Sequence, residues 1–545
     1  MSKNKKLANR LYFHCLLLIA SLIYGCASVQ SPQGGPRDSI PPSAVKMEPK
    51  NLSLNFNAKK ITIEFDEYIK LQNQFKEFSI SPEQERPPIL KEKLKRLEIT
   101  LQDSLEKNTT YTLNFGKSIL DINEGNILKN FTYVFSTGPT LDSLSISGNV
   151  KNTLTEKPEL DAVVFIFPLE RDTLFGNRKP SIYTTTDSSG NYKLSNLKKG
   201  VYKIYALKES GSDKIYQQSS DEIGFIKDPI VLDKNLDSVN IGLFKELANS
   251  FKILDRRLNS DGSINMVFNQ QLRKPEITVV EPANIDLNKK VQFMPTNDSV
   301  KVWLNNLAFD SIKVAIKDEG KVLETIKFTR GKKDTYTRNI LASDNIQGEI
   351  INPNKDLKLF FNFPIENIDL SKIILLEDSI PRKNFTLVKD STNLLAYSFK
   401  YPWKKKEQYI LKIGEGALTA IFNAKNKEIN KTFTLGSNDD YGTLILTVQV
   451  PDTSKSYILQ VVNEKKDRII SSEPLNKNKV ITLSNYRIGT YNIRIVYDDN
   501  KNGLWDTGNV SKGLQPEQIW YVPKELPIRA NWEVNESIEI PPAKK

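Results

Sequence analysis

Short runs in which apolar and polar side chains alternate recur along the chain, and they limit its fold more than any other feature. Ile61-Thr-Ile-Glu-Phe65, Leu97-Glu-Ile-Thr-Leu101, Tyr111-Thr-Leu-Asn-Phe115 and Phe131-Thr-Tyr-Val-Phe135 are the first examples. A period of two puts one set of side chains on a buried face and the other in water, as in a half-buried strand of an antiparallel sandwich. Turn residues separate the runs, so the strands are short and the sheets antiparallel. A chain of 545 residues is more than one core organises. The expected fold is therefore all-β, with tandem antiparallel β-sandwich modules in an elongated chain.

The composition restricts the chemistry. Hydrophobic residues make up 39% and charged residues 26%, as in ordinary soluble domains. Of the net charge of +12, four units sit in Lys3, Lys5, Lys6 and Arg10, and the remaining lysines are interleaved with acids. A nucleic-acid surface needs a concentrated basic stripe, and none is visible. The densest basic run, Lys91-Glu-Lys-Leu-Lys-Arg96, reads as a solvated hairpin. Both cysteines, Cys15 and Cys26, and the single histidine, His14, fall within the first 26 residues. The rest of the chain therefore has no Ser-His-Asp or Cys-His nucleophile system and no His or Cys ligand for zinc. A non-enzymatic role is expected.

The first thirty residues address the chain. The basic leader precedes an apolar run from Leu16 to Tyr24, which is too short to span a bilayer stably and reads as an export signal. Gly25-Cys26 follows, then the Pro- and Gly-rich stretch 27–42. A small residue directly before Cys at the end of such a run resembles the lipobox of bacterial lipoproteins. The resemblance implies cleavage after Gly25 and lipidation of Cys26. Two or more acyl chains would hold the protein to a membrane, at roughly 0.8 kcal/mol per buried methylene.

The chain divides into residues 1–25 (signal), 26–42 (lipidated Cys and tether), 43–139, 140–243, 244–340, 341–437 and 438–545. Residues 43–139 resemble the bacterial Ig-like domain of surface-layer proteins. The resemblance rests on Pro41-Pro42, Ile61 to Glu67, Leu105 to Leu113, Ile119 to Asn126 and Phe135-Ser-Thr-Gly138. Asp66, Glu67, Asp121 and Glu124 in these motifs read as turn and strand residues rather than catalytic acids. Residues 140–243 resemble the transthyretin-like, or carboxypeptidase-regulatory-like, sandwich. Gly148-Asn-Val150, Thr184-Thr-Thr-Asp187-Ser-Ser-Gly190-Asn-Tyr192 and Leu197-Lys-Lys-Gly200-Val-Tyr202 carry it. Residues 244–340 carry strand runs without a resemblance and are expected to form a third sandwich, with a hinge at Arg330 to Asp334.

Two internal repeats complete the plan. Tyr409 to Leu418 aligns with Tyr111 to Leu120 at an offset of 298, and the same offset places Phe433-Thr-Leu-Gly436 on Phe135-Ser-Thr-Gly138. Apolar strand positions are kept, while Asp121 pairs with Thr419 and Glu124 with Phe422. Leu483 to Ile493 aligns with Leu194 to Ile204 at an offset of 289. The second Ig-like domain is thus expected at 341–437 and the second transthyretin-like domain at 438–545. Repeats that keep core residues and change acids point to architecture rather than to a shared active site.

One loop has ligand-like spacing. Asp498, Asn500, Asn502, the Leu504 carbonyl and Asp506 stand at positions one, three, five, seven and nine, with Gly503 at six. A hard cation such as calcium needs oxygen ligands at that spacing and a glycine at the bend. Position twelve is Asn509 rather than a bidentate acid, and the preceding run reads as a strand. A polar loop that holds its own backbone is the competing reading. Trp505, Trp520 and Trp532 cluster near the same end, either as core residues or as an aromatic contact surface.

The whole chain resembles a Bacteroidota outer-membrane lipoprotein family. Cys26-Ala-Ser28, the run Pro32-Gln-Gly-Gly35-Pro-Arg-Asp38-Ser-Ile-Pro41-Pro42 and the loop from Asp498 to Gly508 carry that likeness. It implies a lipid-anchored component of the cell envelope with a membrane attachment and an envelope or outer-membrane protein partner. An accessory role in outer-membrane protein assembly is one form of that expectation. A glycan-binding envelope lipoprotein is the alternative.

Overall fold

The computed structural model describes residues 37–543 apart from 219, 249, 306, 332–337 and 354. Gly25 and Cys26, the leader and the tether up to residue 36 lie outside the described residues, as does most of the expected hinge at 330–334. The described chain is built of strands, with the four-residue helix Gln74–Glu77 and a few 3-10 turns. No helix among the described residues is long and apolar enough to cross a membrane.

Alternation becomes a sheet as expected. In strand Lys60–Phe65, residues Ile61, Ile63 and Phe65 are buried, and register sets Ile61 opposite Ile99 and Ile63 opposite Leu97. Burying each of these side chains contributes about 1.5–3 kcal/mol. The sheet runs Ala44–Glu48, Lys60–Phe65, Arg96–Thr100, Ile89–Lys93 and includes the basic hairpin. A second sheet runs Thr132–Ser136, Thr110–Asn114, Ser79–Ser81. In Thr132–Ser136 burial does not alternate, because residues Tyr133 to Ser136 are all buried. The segment before Lys60 runs along its edge, where the N–H groups of Leu52 and Phe56 donate to the carbonyls of Val134 and Ser136.

Residues 253–329 repeat the plan of the first module. One sheet runs Ile253–Leu258, Ile264–Phe268, Ser299–Trp303, Lys290–Phe293, and the other holds Pro275–Glu281, Ser311–Asp318 and Lys321–Thr329. In both modules the third strand of the four-stranded sheet follows the fourth in sequence. The fourth module repeats this order with Ala342–Asp344, Leu357–Phe361, Ala396–Lys400 and Thr386–Lys389. Tyr111 and Tyr409, paired by the repeat, each accept a hydrogen bond at the phenol oxygen from the N–H five residues upstream.

The second and fifth modules share another topology. In each, the first strand pairs in parallel with the last, Leu144–Asn152 with Ile241–Leu243 and Tyr441–Gln449 with Glu533–Glu539. Their facing sheets run Ile182–Thr185, Val163–Pro168, Gly200–Lys208, Glu222–Phe225 and Ile469–Leu475, Ser456–Asn463, Gly489–Asp498, Ile519–Tyr521. The repeated tyrosine corner is present in both, since Tyr202 and Tyr491 each donate to the carbonyl four residues upstream.

Neighbouring modules are joined by different means. Between the first and second, the Lys214 ammonium lies 2.9 Å from Glu77 in a buried ion pair. Lys179 donates to the carbonyls of Phe75, Lys76 and Phe78, and burial lowers its pKa to about 8. Between the third and fourth, the joint is apolar. Trp303, fully buried, packs in the core of the fourth module, and Phe422 of the fourth packs against the core of the third. Trp303→Ala empties one side of that joint, and a loss of about 3–5 kcal/mol is expected. Urea denaturation followed by far-UV circular dichroism would show it as a lowered midpoint.

Candidate functional site: two equivalent loops that meet at Glu246

In both the second and the fifth module, two neighbouring antiparallel strands are joined by a long loop instead of a tight turn. The loops span 209–221 and 499–518. Each is held by a buried acid that stands just before the second strand. Asp221 accepts from the N–H groups of Ser210 and Gln217. Glu517 accepts from those of Asp499 and Asp506, both at 2.9 Å. Burial pushes the Glu517 carboxyl above its ordinary range, against those two N–H donors, and the charges of Asp506 and Asp498 add to the rise.

The five candidate ligand positions are brought round one turn. Asp498 is buried and accepts from the N–H groups of Asn502 and Gly503, each at 3.0 Å, and from Ser456 Oγ. Asn500 Oδ1 accepts from the Asn502 N–H, and Asn502 Oδ1 from the Leu504 N–H at 2.8 Å. The amide nitrogens of Asn500 and Asn502 both donate to one oxygen of Asp506, at 2.5 and 2.7 Å. Gly503 supplies the bend with φ +78°, where a side chain would be strained. These contacts are what a polar loop holding its own backbone requires. Among the described residues, no group of three or more His, Cys, Asp or Glu is placed to hold a metal ion.

The loop also carries a contact surface. Trp505 and Val510 pack against the second module's cluster of Val163, Phe165, Phe225 and Phe244, and the Trp505 indole N–H donates to the Glu517 carbonyl. The Val510 N–H donates to Glu246 Oε1. The other oxygen, Oε2, takes the Tyr216 hydroxyl at 2.6 Å and the Gln218 amide at 3.0 Å, both from loop 209–221. Thr507 and Gln515 add hydrogen bonds to the carbonyls of Lys245 and Phe225. Gly508 is required by close approach, since a Cβ there would stand 2.6 Å from the Phe244 ring and 2.7 Å from the Leu514 carbonyl. A second contact joins the same modules, with Arg494 and Tyr521 donating to the Leu154 carbonyl and Lys466 pairing with Glu156 at 3.2 Å.

The end-to-end succession expected from the sequence is modified here, because the last module lies against the second. The physical reason is the apolar payload of Trp505 and Val510 on a polar loop. Glu517, Asp221 and Glu246 were missed by sequence reasoning. The offset of 289 holds only to the end of strands Gly200–Lys208 and Gly489–Asp498, and the loops after it differ in length. The equivalence of Asp221 and Glu517 is therefore hidden in the sequence.

The other acids take structural places. Asp121 is buried. Burial pushes its carboxyl up, but the N–H groups of Glu124, Gly125 and Asn126 outweigh this and hold it below its ordinary value. Asp66 accepts from the Ser43 N–H, and the Glu124 carbonyl takes Arg37. Of the three C-terminal tryptophans, Trp505 and Trp520 pack against module cores, while Trp532 is 59% exposed with Arg529 over its ring. They form no common platform.

Glu377 of the fourth module lies between Lys404 at 2.8 Å, Arg382 at 2.7 Å and the Tyr401 hydroxyl. The hydrogen bonds from Lys404 and Tyr401 lead the causes that hold its carboxyl down to about 2.

Residues 38–137 match the family described as bacterial Ig-like domain. No curated protein matches the chain in sequence. Among solved structures, the major pilin subunit BcpA of Bacillus cereus is 13% identical, covering 73% of this chain and 99% of its own, with a TM-score of 0.14. The surface layer protein SbsC, domains 1–6, is 11% identical over 90% of this chain and 67% of its own, with a TM-score of 0.16. The Bacteroides ovatus glucan-locus protein SGBP-B is 11% identical over 62% of this chain and 86% of its own, with a TM-score of 0.17. The first module is thus Ig-like, within a chain of tandem β-sandwich modules.

Two outcomes test the site. Gly508→Val forces loop 499–518 off Phe244, so the second and fifth modules are expected to part. Small-angle scattering would show a larger radius of gyration, with unchanged circular dichroism. For Glu377 the folded pKa lies below the ordinary 4.5. Its stabilisation is therefore present above that value and is lost as pH falls toward about 2. Glu377→Gln is expected to flatten the stability profile in that window, measured by denaturant titration at stepped pH.

Proposed function

We propose that the chain is a non-enzymatic structural component of a bacterial cell envelope, held to the outer membrane by lipid on Cys26. One observation carries the architectural part of this reading. Some of the buried charged groups join modules, with Glu77 and Lys214 between the first and second and Glu246 between the second and fifth. An acid kept ionised at about 2, as Glu377 is, cannot serve as a general acid near neutrality. The Ig-like first module agrees with a surface or envelope location. The leader and the Gly25-Cys26 junction support the anchor.

In its finer form, this reading makes the chain an accessory of outer-membrane protein assembly, with an envelope protein as its partner. A cation at Asp498, Asn500, Asn502, the Leu504 carbonyl and Asp506 would be structural within it. A higher Tm in millimolar calcium than in EDTA would support that cation. An equal Tm would leave the amide–carboxylate contacts as the loop's own closure.

The anchor is tested with Cys26→Ser. The variant is expected to lose incorporation of radiolabelled palmitate and to leave the membrane fraction, whereas the unaltered chain keeps both. Labelled, membrane-bound Cys26→Ser protein would overturn the assignment.

A further inference from the structure

The repeated pair of modules treats one sheet edge in two different ways. In the second module, strand Ile182–Thr185 is an edge of its sheet, and the first module covers it. Asn130 Oδ1 accepts from the Thr185 N–H and Asn130 Nδ2 donates to the Thr185 carbonyl, both at 3.1 Å. Asn114 donates to the Tyr183 carbonyl at 2.6 Å, and Ser79 to that of Ser181 at 3.0 Å. The equivalent strand of the fifth module is Ile469–Leu475, an edge that among the described residues pairs only with Ser456–Asn463. The offset of 298 puts Lys412 and Glu428 where the first module has Asn114 and Asn130. Glu428 accepts instead from Asn430 within its own module.

A cleft of about 570 Å³ lies between the fourth and fifth modules at the start of this strand, where Ile469 and Ile470 line it. Arg468, Arg487 and Lys355 line it, with Tyr486 and Tyr491 packed edge to face at 5.6 Å. Among the described residues, no carboxylate forms an ion pair with any of these three cations, and Arg487 donates to the neutral Gln347 side chain. The one acid in the lining, Asp440, is engaged by the Ser437 N–H. Ile469 is 48% and Ile470 38% exposed at the start of the strand.

We propose that this cleft binds an extended, acidic peptide segment of a partner protein, added as a further strand on the edge Ile469–Leu475. Apart from Pro474, which has no N–H, the open edge offers unpaired backbone groups that another extended chain satisfies. The uncompensated cations select acidic side chains on that chain. A phosphate or lipid headgroup would answer the charge but not the backbone donors and acceptors. The first copy shows what such an edge receives when covered, namely donors to three of its carbonyls and an acceptor for one N–H from a neighbour. The inference goes beyond the scaffold reading and does not depend on the lipid anchor.

The test uses the full chain in detergent and a fluorescent, acetylated octapeptide that alternates Glu and Val, followed by anisotropy. Saturable binding is expected, about tenfold weaker for the Arg468→Ala/Arg487→Ala variant. The same peptide N-methylated at alternate positions, which removes backbone donors without touching the protein, should bind at least as poorly. Equal binding of a Lys-Val octapeptide, equal binding of the N-methylated probe, or no binding at millimolar peptide would each overturn the proposal. So would complete displacement of the peptide by inorganic phosphate at physiological ionic strength. Circular dichroism of the variant separates lost binding from lost fold, and the N-methylated probe decides the matter if the variant fails to fold.

Discussion

Glu246 is a buried carboxylate whose two oxygens take donors from loops of two different modules, and the arrangement of the modules depends on it. A charge removed from water is tolerated only when its lone pairs are filled. Here the Val510 N–H fills one oxygen while Tyr216 and Gln218 fill the other. The contact closes a circuit in which the chain leaves the second module, passes through the third and fourth, and returns with the fifth. Because the third and fourth modules within that circuit are folded, its closure depends on the fit of their joints rather than on the entropy of a flexible loop. The partial burial of Trp505 and Val510 against Phe225 and Phe244 adds apolar contact to the same closure.

The other joints show that no single type of contact holds the modules. Between the first and second, Glu77 and Lys214 pair out of water, which fixes geometry more than it adds stability. Between the third and fourth, Trp303 and Phe422 are exchanged as apolar side chains. A polar joint loses much if one partner moves, because a buried charge is then left unpaired. An apolar joint tolerates small shifts more gradually. The circuit thus combines stiff and compliant joints.

Much of the fold was legible in the sequence, because strands announce themselves locally. Ile61, Ile63 and Phe65 alternate in the sequence and are buried as a set. The offsets of 298 and 289 found strands Gln408–Ile413 and Gly489–Asp498 from their first copies. Strand Thr132–Ser136 departs from alternation because both of its faces are buried and a distant segment lies along its edge, and no local pattern reports that. The same holds for the candidate site. Asp498, Asn500, Asn502 and Asp506 were legible by spacing. Glu517 and Glu246 were not, because their roles depend on loops of unequal length that meet in space.

The divergence between the repeated copies follows from these joints. Tyr111 and Tyr409, or Tyr202 and Tyr491, build the module from within and are kept with the same hydrogen bonds. Positions that face a neighbour are the ones that change. Glu124, on an exposed loop, becomes Phe422 where a third module waits to receive a ring. Asn114 and Asn130, which cover a sheet edge, become Lys412 and Glu428 where that edge is left open. A duplicated fold held by the same core can therefore acquire different neighbours by altering a few residues at its rim. For a chain whose modules are joined by such side chains, those rim residues are where its specificity resides.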